Sequence, residues 1–477
     1  MRTGKGLVDE IETGAAPLNR FRRLIGDAKW SELEQTMAGL ERVMHGRVLW
    51  NVNSTAHGGG VAEMLSALIP YSRDAGIDER WVVIEGTPEF FAVTKKIHSM
   101  LHGVAPEGGG LTETDRGHYE QANASNADDL IGLVKEGDVA IVHDPQPAGL
   151  IPRLARQGVH VVWRCHIGVD EPNDTVREAW RFLLPYLADA GACVFSRQAY
   201  AWEGLERSRV AIIAPCIDPF ATKNHDLGHA STNGILHVSG ILEGADGEAE
   251  FVRRDGSRGR VERAADLVGR TLPGDACIVT QVSRWDRLKD HAGVVAGFVE
   301  HVAPHTNAHL VLAGPSANGV ADDPEQPAIL RELRSMWQAL PVEMQRRVVI
   351  AQLPMDDTEE NAAIVNALQR RSDVVVQKSL AEGFGLTVAE AMWKARPVVA
   401  SRVGGIGDQI EDGQSGLLID DPRDLASFGA AVVRALGDAE LAERLGENAR
   451  RRVIDRFITP CHLVAQARLI SEVLAAA

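Results

Sequence analysis

Short runs of β-branched and other apolar residues alternate with longer segments of helical periodicity along most of this chain. The candidate strands of the first half are Arg47–Asn53, Trp81–Glu85, Val139–His143, Val159–Arg164, Cys193–Ser196 and Val210–Ala214. Those of the second half are Cys277–Val282, His309–Ala313, Arg347–Ala351, Val374–Gln377 and Pro397–Ser401. Most of these runs are continuously apolar, which is typical of strands buried on both faces of a parallel sheet. The alternation predicts an α/β fold with two doubly wound, Rossmann-like domains facing each other across a cleft.

The same pattern divides the chain into five predicted segments. They are a helical arm outside the first sheet (1–45), a first Rossmann-like domain (46–222), an irregular inter-domain connector (223–273), a second Rossmann-like domain (274–456) and a closing helix (457–477). The connector is rich in glycine and charged residues, and Asp255-Gly256 within it could turn a small hairpin.

Composition narrows the classes of function. The 477 residues include 50 Lys and Arg against 66 Asp and Glu, a formal charge of −16, which argues against a nucleic-acid-binding surface. No stretch approaches the roughly 20 apolar residues that span a bilayer, and the first residues lack the apolar core of a signal peptide. Five cysteines without a C-x-x-C pair are typical of small buried side chains in a reducing compartment. We therefore expect a cytoplasmic protein without nucleic-acid or membrane partners.

The most informative stretch for chemistry is Gln377–Trp393, QKSLAEGFGLTVAEAMW. A strand ends, a glycine-containing loop carries Glu382, and a helix beginning near Thr387 carries Glu390 in its first turn. Backbone N–H groups at such a helix start can hold phosphate or sugar oxygens, and carboxylates beside it can accept hydrogen bonds from hydroxyls. The alternative is that Thr387 and Glu390 form a capping box that only closes the helix end.

A second candidate is Val282–Asp290, VSRWDRLKD, directly after a predicted strand. Arg284 and Lys289 would stand at the carboxyl end of that strand, where α/β folds bind ligands, and two cations there can neutralise a diphosphate. The alternative is a solvated helix start in which the charged residues of this stretch pair with one another.

Two glycine-rich turns follow other strands. Asn53–Glu63, NSTAHGGGVAE, contains Gly58, Gly59 and Gly60, which would let the backbone approach a ligand closely, although it is not a dinucleotide fingerprint. Gly404 and Gly405 follow the strand PVVAS in the same way. Plain strand-to-helix turns are the alternative in both places.

Polar residues also stand at two strand ends of the first half. They are His143 and Asp144 in VHDPQP, and Arg164 and His166 in WRCHIG. Each is a candidate for the cleft, and the alternative for each is a structural side chain whose hydrogen bonds are satisfied within the domain.

Several chemistries lack their sequence signatures. There is no G-x-x-x-x-G-K-[ST], no H-E-x-x-H and no G-x-S-x-G. The chain also has no D-x-D, the motif with which metal-dependent, single-domain glycosyltransferases usually hold a diphosphate. A metal site is not expected.

These motifs together resemble those of a known group of enzymes. Glu382 and Glu390 resemble the E-x7-E pattern of retaining glycosyltransferases of the two-Rossmann GT-B architecture, of the family 4 type, and Arg284 with Lys289 resembles its R-x4-K companion. More narrowly, WNVNSTAHGGGVAEML, VHDPQPAGL, WRCHI and QVSRWDRLKD are similar to trehalose glycosyltransferring synthases, over roughly Val43–Phe220 and Ala276–Phe457. Fungal trehalose phosphorylases share much of this pattern, whereas Ala105–Tyr119 and Lys223–Pro273 depart from it.

The resemblance implies a function. The expected reaction is retaining transfer of glucose from a nucleoside-diphosphate glucose to glucose, forming trehalose, with the reverse direction and the nucleotide (UDP, ADP, GDP or dTDP) left open. The alternatives are a trehalose phosphorylase, a related GT-B transferase with another acceptor, or a catalytically silent sugar-nucleotide sensor. No tightly bound cofactor and no divalent metal are expected. The expected partners are small-molecule sugars and the nucleotide sugar, and a homodimer is left open.

The resemblance also implies residue roles, with the first domain binding the acceptor and the second the donor. Arg284 and Lys289 would bind the diphosphate, Glu390 the ribose and Glu382 the transferred glucose, with His166 at the reaction centre. The other implied donor residues are Gly58, Gly59, Gly60, Gly383, Phe384, Gly385, Leu386 and Thr387. The implied acceptor residues are Glu85, His143, Asp144 and Arg164.

Overall fold

The computed structural model describes residues 8–56, 59–106, 108–244, 248–316 and 325–476. The chain forms two compact units. One comprises Met1–Cys216 together with Phe457–Ala477, and the other comprises Ile217–Arg456.

The first unit is built on one sheet that has seven strands among the described residues. They are β1 (Val8–Ile11), β2 (Leu49–Asn53), β3 (Glu79–Ile84), β4 (Val139–His143), β5 (His160–Cys165), β6 (Ala192–Phe195) and β7 (Val210–Ile212). The order is β1-β3-β2-β4-β5-β6-β7, with β1 antiparallel to β3 and the other neighbours parallel. The chain runs from β2 to β3 on one side and then crosses to β4 on the other. The sheet therefore has a switch point between β2 and β4, the position at which such sheets bind ligands.

Helices connect these strands. They are α1 (Arg22–Met44), α2 (Gly60–Asp74), α3 (Pro88–Leu101), α4 (Glu113–Ile131), α5 (Ile151–Arg156) and α6 (Asp174–Leu187). Strands β2 and β4 are buried along their whole length. Their apolar side chains join those of the helices in one core that includes Val52, Val142, Trp163 and Phe90. This double-sided burial explains why the strands have continuously apolar sequences.

The second unit begins with a helix and a hairpin, α7 (His229–Val238), β8 (Glu250–Val252) and β9 (Arg258–Arg260). Its sheet contains β10 (Asp266–Val268), β11 (Ile278–Val282), β12 (His309–Pro315), β13 (Val348–Leu353), β14 (Val374–Gln377), β15 (Val398–Ser401) and β16 (Leu417–Ile419). The order is β10-β13-β12-β11-β14-β15-β16, with β10 antiparallel and the others parallel. The switch point lies between β11 and β14.

The remaining helices of this unit are α8 (His291–Gly297), α9 (Gln326–Ala339), α10 (Val342–Gln345), α11 (Thr358–Arg371), α12 (Leu386–Trp393), α13 (Ile406–Gln409), α14 (Leu425–Gly437) and α15 (Ala439–Arg456). The last helix, α16 (Thr459–Ala476), belongs to the first unit, where it packs on α1 and Arg468 pairs with Glu32 at 2.6 Å. None of the helices in the described ranges is long and apolar enough to cross a membrane.

Two predicted segments differ from the structure. The arm at 1–45 is helical in α1, but β1 pairs with β3 and extends the first sheet. The connector at 223–273 is not irregular throughout, because α7 packs on α11 and β10 pairs with β13. For β1 and β10 the physical reason is length, since strands of three or four residues with mixed polarity are too short to show a periodicity. The hairpin predicted at Asp255-Gly256 is confirmed between β8 and β9, where Gly256 has φ 84°.

Acidic side chains at the start of α11 hold this hairpin, so we expect its stability to depend on pH. Arg253 contacts Asp357 at 2.6 Å and Glu359 at 3.2 Å, and the hydrogen bond from Arg253 lowers the pKa of Asp357 to about 2. A carboxyl with a depressed pKa stabilises the fold above its unfolded pKa of about 3.9, and this stability is lost as the pH falls towards 2.

Arg253→Gln should therefore lower the free energy of unfolding by about 1 kcal/mol at pH 7, with a smaller difference from the wild type at pH 3. Urea unfolding at several pH values measures this. Arg258→Gln is the matched control, because the Arg258 side chain in the same hairpin is 85% exposed and lies 3.6 Å from Glu250. A difference that stays constant from pH 7 to pH 3 would contradict the assignment.

Candidate active site

The two motifs of the second unit lie at the same end of neighbouring strands. The segment with Arg284 and Lys289 follows β11, and the loop with Glu382 follows β14. Strands β11 and β14 are parallel neighbours on the two sides of the switch point. The topology therefore brings together two elements that are nearly a hundred residues apart in the sequence, at the edge where such sheets bind ligands.

Lys289 and Glu382 are in direct contact. The Lys289 Nζ lies 2.5 Å from Glu382 Oε2, and the side chains are 16% and 12% exposed. Ser379 Oγ also donates to Glu382 Oε2 at 3.3 Å. This cross-loop ion pair shows that Lys289 does more than pair with charges of its own turn, as the solvated-helix alternative required.

Further hydrogen bonds hold the two loops in register. Leu380 N donates to Leu288 O at 2.7 Å. The Gln281 side chain accepts from Lys378 N at 2.9 Å and donates to Lys289 O at 2.8 Å. The Lys378 ammonium, whose side chain is 1% exposed, pairs with Asp290. Sequence reasoning missed Gln281 and Lys378, although a polar residue inside a buried strand and a lysine directly after one were visible signals.

Arg284 stands at the same edge in a more open position. Its side chain is 59% exposed, and the guanidinium lies 3.8 Å from the Asp286 carboxylate. The neighbouring Trp285 anchors the turn, since it is fully buried and its Nε1 donates to Pro315 O at 2.8 Å. Arg284 therefore extends from an anchored turn at the edge where such sheets bind ligands.

The glycine loop between Glu382 and α12 has a constrained shape. Gly385 caps the helix with φ 84°, a conformation that favours glycine. Gln409 Nε2 donates to the carbonyls of Phe384 and Gly385, and Gly405 N donates to Gly383 O at 3.0 Å. The first N–H groups of a helix have no acceptor within it and form its positive end. The start of α12, which includes Leu386 and Thr387, can therefore receive an anion.

The capping box that was the alternative for Thr387 and Glu390 does not form. The helix starts at Leu386, its cap is Gly385 without a side-chain bond, and Thr387 Oγ1 donates to Gln377 Oε1 at 3.1 Å. Glu390 therefore lies in the second turn and not in the first. Its carboxylate is 4% exposed and lies 3.4 Å from Lys223 Nζ. Glu390 is thus free of the capping role that competed with a binding role.

A buried lysine lies beneath Glu390. Lys394 Nζ donates to Gln369 Oε1 at 2.8 Å, and to Asn224 Oδ1 and Glu390 O at 3.1 Å. Burial lowers the pKa of Lys394, and the nearby Glu390 carboxylate opposes that shift. Lys223 and Lys394 were not singled out in the sequence, because the connector and α12 meet only in the folded unit.

In the first unit the candidates also surround the switch point. The glycine turn follows β2, where Gly59 has φ 87° and Gly60 begins α2, whereas Gly58 lies outside the described residues. Asp144 follows β4 with φ 65°, an unusual conformation for a residue other than glycine. Its Oδ1 accepts from His166 N at 2.7 Å, and burial raises the pKa of Asp144 to about 7.

The imidazole rings of His143 and His166 are neighbours and lie nearly parallel. Their Nδ1 and Nε2 atoms lie 3.3 Å apart, and the rings are inclined by 14°. Burial lowers the pKa of His143 to about 3 and that of His166 well below its ordinary value, and the Arg164 guanidinium adds to both shifts. Both imidazoles are therefore neutral in the folded protein at pH 7.

Two predicted acceptor residues have other contacts. The buried Arg164 guanidinium contacts His462 Nε2 at 2.8 Å and donates to Ile213 O at 3.1 Å. Glu85 is exposed after β3, with its backbone bonded to the Asn126 side chain at 3.0 and 2.7 Å. Their roles in binding an acceptor stay predictions, as does a role for His143. Among the residues that the structure describes, no three His, Cys, Asp or Glu side chains are grouped as a metal site would require.

Comparison with known proteins identifies the protein family of this chain. A family model described as trehalose synthase, N-terminal domain, matches residues 51–202, and one described as glycosyl transferases group 1 matches residues 269–452. A trehalose synthase of Rubrobacter xylanophilus is 36% identical over 471 residues, covering 98% of this chain and all of that protein. The chain belongs to the trehalose synthase family. It is therefore a glycosyltransferase of trehalose metabolism, which confirms the resemblance given by its motifs.

Two further proteins are similar to this chain, one in fold and one in sequence. A UDP-forming α,α-trehalose-phosphate synthase of Burkholderia vietnamiensis superposes with a TM-score of 0.63 at 15% identity, over 88% of this chain and 96% of that one. Such likeness confirms the predicted GT-B type of fold with two Rossmann-like domains. A trehalose phosphorylase of Grifola frondosa is 26% identical over 482 residues, covering 95% of this chain and 59% of that protein.

Proposed function

We propose that this member of the trehalose synthase family transfers glucose from a nucleoside-diphosphate glucose to glucose, with retention, to form trehalose. The observation that carries the proposal is the contact of Lys289 with Glu382 beside the start of α12. It supports the proposal because an ammonium that could bind phosphate, a carboxylate that could bind sugar hydroxyls and a helix N-terminus lie close together at one switch point. Family membership supports trehalose as the product.

The donor side follows from the charge that develops during the reaction. Breaking the bond between the anomeric carbon and the phosphate oxygen leaves a negatively charged diphosphate and a sugar with oxocarbenium character. Arg284, Lys289 and the first N–H groups of α12 would stabilise that diphosphate. Glu382 would hold hydroxyls of the transferred glucose, and Glu390 those of the ribose.

Retention requires attack on the face from which the diphosphate departs. In the mechanism that the family resemblance implies, the acceptor oxygen forms its bond to the anomeric carbon as the phosphate oxygen leaves. The departing phosphate oxygen takes the proton of the acceptor hydroxyl, so no carboxylate nucleophile is needed. Glu382 is therefore proposed to position the sugar, unlike the nucleophile of a retaining glycosidase.

For the first unit we propose contacts to sugar. His166 would contact the transferred glucose, and Asp144 with Glu85 would bind acceptor hydroxyls. The Asp144 side chain already accepts from the His166 backbone, which joins the two proposed roles in one local structure. A cytoplasmic location and a homodimer stay predictions.

The second candidate function is phosphorolysis of trehalose. It is favoured by the similarity to the Grifola frondosa trehalose phosphorylase. Incubating the enzyme with trehalose and either inorganic phosphate or a nucleoside diphosphate separates the two. Glucose 1-phosphate would show a phosphorylase, whereas nucleotide-dependent release of glucose from trehalose would show the reverse of the proposed transfer.

The proposed function is tested by a donor-by-acceptor screen. UDP-, ADP-, GDP- and dTDP-glucose are each offered with glucose and with other sugars, and products are identified by chromatography and NMR. We expect α,α-trehalose from glucose with at least one donor, and the same yield in excess EDTA, since protein cations would neutralise the diphosphate. Lys289→Ala serves as the negative control. Absence of disaccharide with every donor would contradict the proposal.

A further inference from the structure

A chain of hydrogen bonds crosses the sheet of the first unit beneath His166. Asn51 Nδ2 donates to Glu79 Oε1 at 2.7 Å, Asn51 Oδ1 lies 3.1 Å from His143 Nε2, and His143 Nδ1 lies 3.3 Å from His166 Nε2. The residues come from β3, β2, β4 and the end of β5, which are consecutive neighbours in the sheet. This series of hydrogen bonds therefore passes through the switch point between β2 and β4.

These side chains are almost completely shielded from water. Glu79 and Asn51 are each 1% exposed, and His143 is 2% exposed. Buried polar groups of this kind must satisfy one another, so each member restricts the hydrogen bonds of the next. Burying three polar side chains in neighbouring strands is costly unless they bond to one another.

The direction of the chain follows from the orientation of Asn51. Because its amide nitrogen donates to Glu79, its carbonyl oxygen faces His143 Nε2, and that nitrogen must carry the hydrogen. A neutral imidazole has one donor and one acceptor, so His143 Nδ1 accepts. His166 Nε2 must then carry the hydrogen that bridges the two rings, which leaves His166 Nδ1 as an acceptor.

The surroundings keep both rings neutral. Arg164 and His462 are the other titratable groups that lower the pKa of His166, and its backbone N–H is bonded to Asp144. Burial raises the pKa of Glu79, while hydrogen bonds from Ser72 and Asn51 favour its charged form. Because Glu79 Oε1 accepts from the Asn51 amide nitrogen, it sets the orientation of Asn51 and with it the direction of every later hydrogen bond.

We propose that Glu79, Asn51 and His143 are positioning residues that hold His166 as the Nε2–H tautomer and present its Nδ1 as a hydrogen-bond acceptor to a sugar hydroxyl. The identity of the ligand rests on the proposed function, whereas the tautomer does not. An acceptor nitrogen at this position selects a hydroxyl that can donate, and it disfavours a carbonyl or phosphate oxygen.

NMR of the full-length enzyme with ¹⁵N-labelled histidine tests the tautomer. The chain has 16 histidines, so the His166 signals are assigned by their loss in His166→Gln. We expect a neutral His166 with Nε2–H from pH 6 to pH 8. An Nδ1–H tautomer or a protonated ring at pH 7 would overturn the proposal.

Two variants test the positioning residues. Asn51→Leu removes the bridge between Glu79 and His143, and Glu79→Gln keeps the shape but allows donation as well as acceptance. We expect a mixture of His166 tautomers in both, and a fall in kcat of roughly 10-fold with little change in KM. Unchanged tautomers in both variants would overturn the proposal.

Asn123→Ala is the matched control for the loss of a buried amide. Asn123 is 1% exposed in α4, and its side chain donates to Tyr119 O and Gln146 O. We expect Asn123→Ala to have a lowered Tm and to retain the His166 tautomer. A changed His166 tautomer in this variant would contradict the specific role of the hydrogen bonds from Glu79 to His166.

If no donor in the screen yields a disaccharide, the proposed function fails, while the NMR measurement still decides the tautomer.

Discussion

Replacing Lys289 with alanine should lower the rate of glucose transfer by roughly 10²–10³-fold, the effect of removing one group that stabilises developing charge. Lys289→Ala removes a cation 2.5 Å from Glu382 at the switch point of the second unit. In the proposed mechanism the departing diphosphate would lose one of two cations that stabilise it, and Glu382 would lose its ion-pair partner. Arg284→Ala should act in the same direction through the diphosphate alone.

Initial rates with a nucleoside-diphosphate glucose and glucose measure the effect, and circular dichroism checks folding. Arg287→Ala is the matched control, because Arg287 lies in the same turn but is 65% exposed and lies 3.6 Å from the surface residue Glu332. We expect this control to keep its rate. Full activity in both Lys289→Ala and Arg284→Ala would show that the site assignment is wrong.

The sequence predicted the positions of these groups well, because burial leaves a strong signature in parallel strands. The apolar runs that became β11 and β14 end directly before Ser283 and Lys378. Residues that follow parallel strands lie at one edge of a sheet, so Arg284, Lys289 and Glu382 could be placed together in advance. Their chemical roles came from the family resemblance, since the spacing alone left structural alternatives open.

The order of the strands could not be predicted from the pattern. Nothing local in the sequence states that β11 pairs with β14, or that β2 pairs with β4, because pairing depends on contacts between distant segments. For the same reason the contact of Arg164 with His462 was not foreseeable, since the two are separated by 298 residues. The switch points became known only with the sheet topology.

Local geometry explains why the capping-box alternative at Thr387 fails and why Glu390 lies in the second helical turn instead of the first. A capping box needs its hydroxyl at the residue before the helix, and here the helix begins one residue before Thr387. The positive φ of Gly385 permits that earlier start. Helix boundaries read from a sequence pattern are uncertain by a residue or two. A shift of this size puts Thr387 inside the helix, where its hydroxyl donates to Gln377 and does not cap the helix.

Replacing Gly405 with alanine adds only one methyl group, but it should displace the loop between Glu382 and α12 and lower activity. Gly405 has φ −63° and ψ −13°, which alanine adopts readily, so the backbone itself imposes no strain. A Cβ there would lie 2.6 Å from Phe384 Cα, 2.8 Å from Phe384 Cδ2 and 3.0 Å from Gly383 O. Because backbone atoms cannot yield as a flexible side chain can, the loop between Glu382 and α12 must move.

We expect Gly405→Ala to lower kcat by roughly 10²-fold, since displacement by about 1 Å has that effect on aligned groups. Overpacking should also lower the free energy of unfolding by about 1–3 kcal/mol. Gly407→Ala is the matched control, because a Cβ there would meet its nearest neighbour, Arg402 Cγ, at 3.6 Å. Steady-state rates and urea unfolding compare the two variants. Equal activity in them would show that the Gly383–Gly385 loop does not depend on its close contact with Gly405.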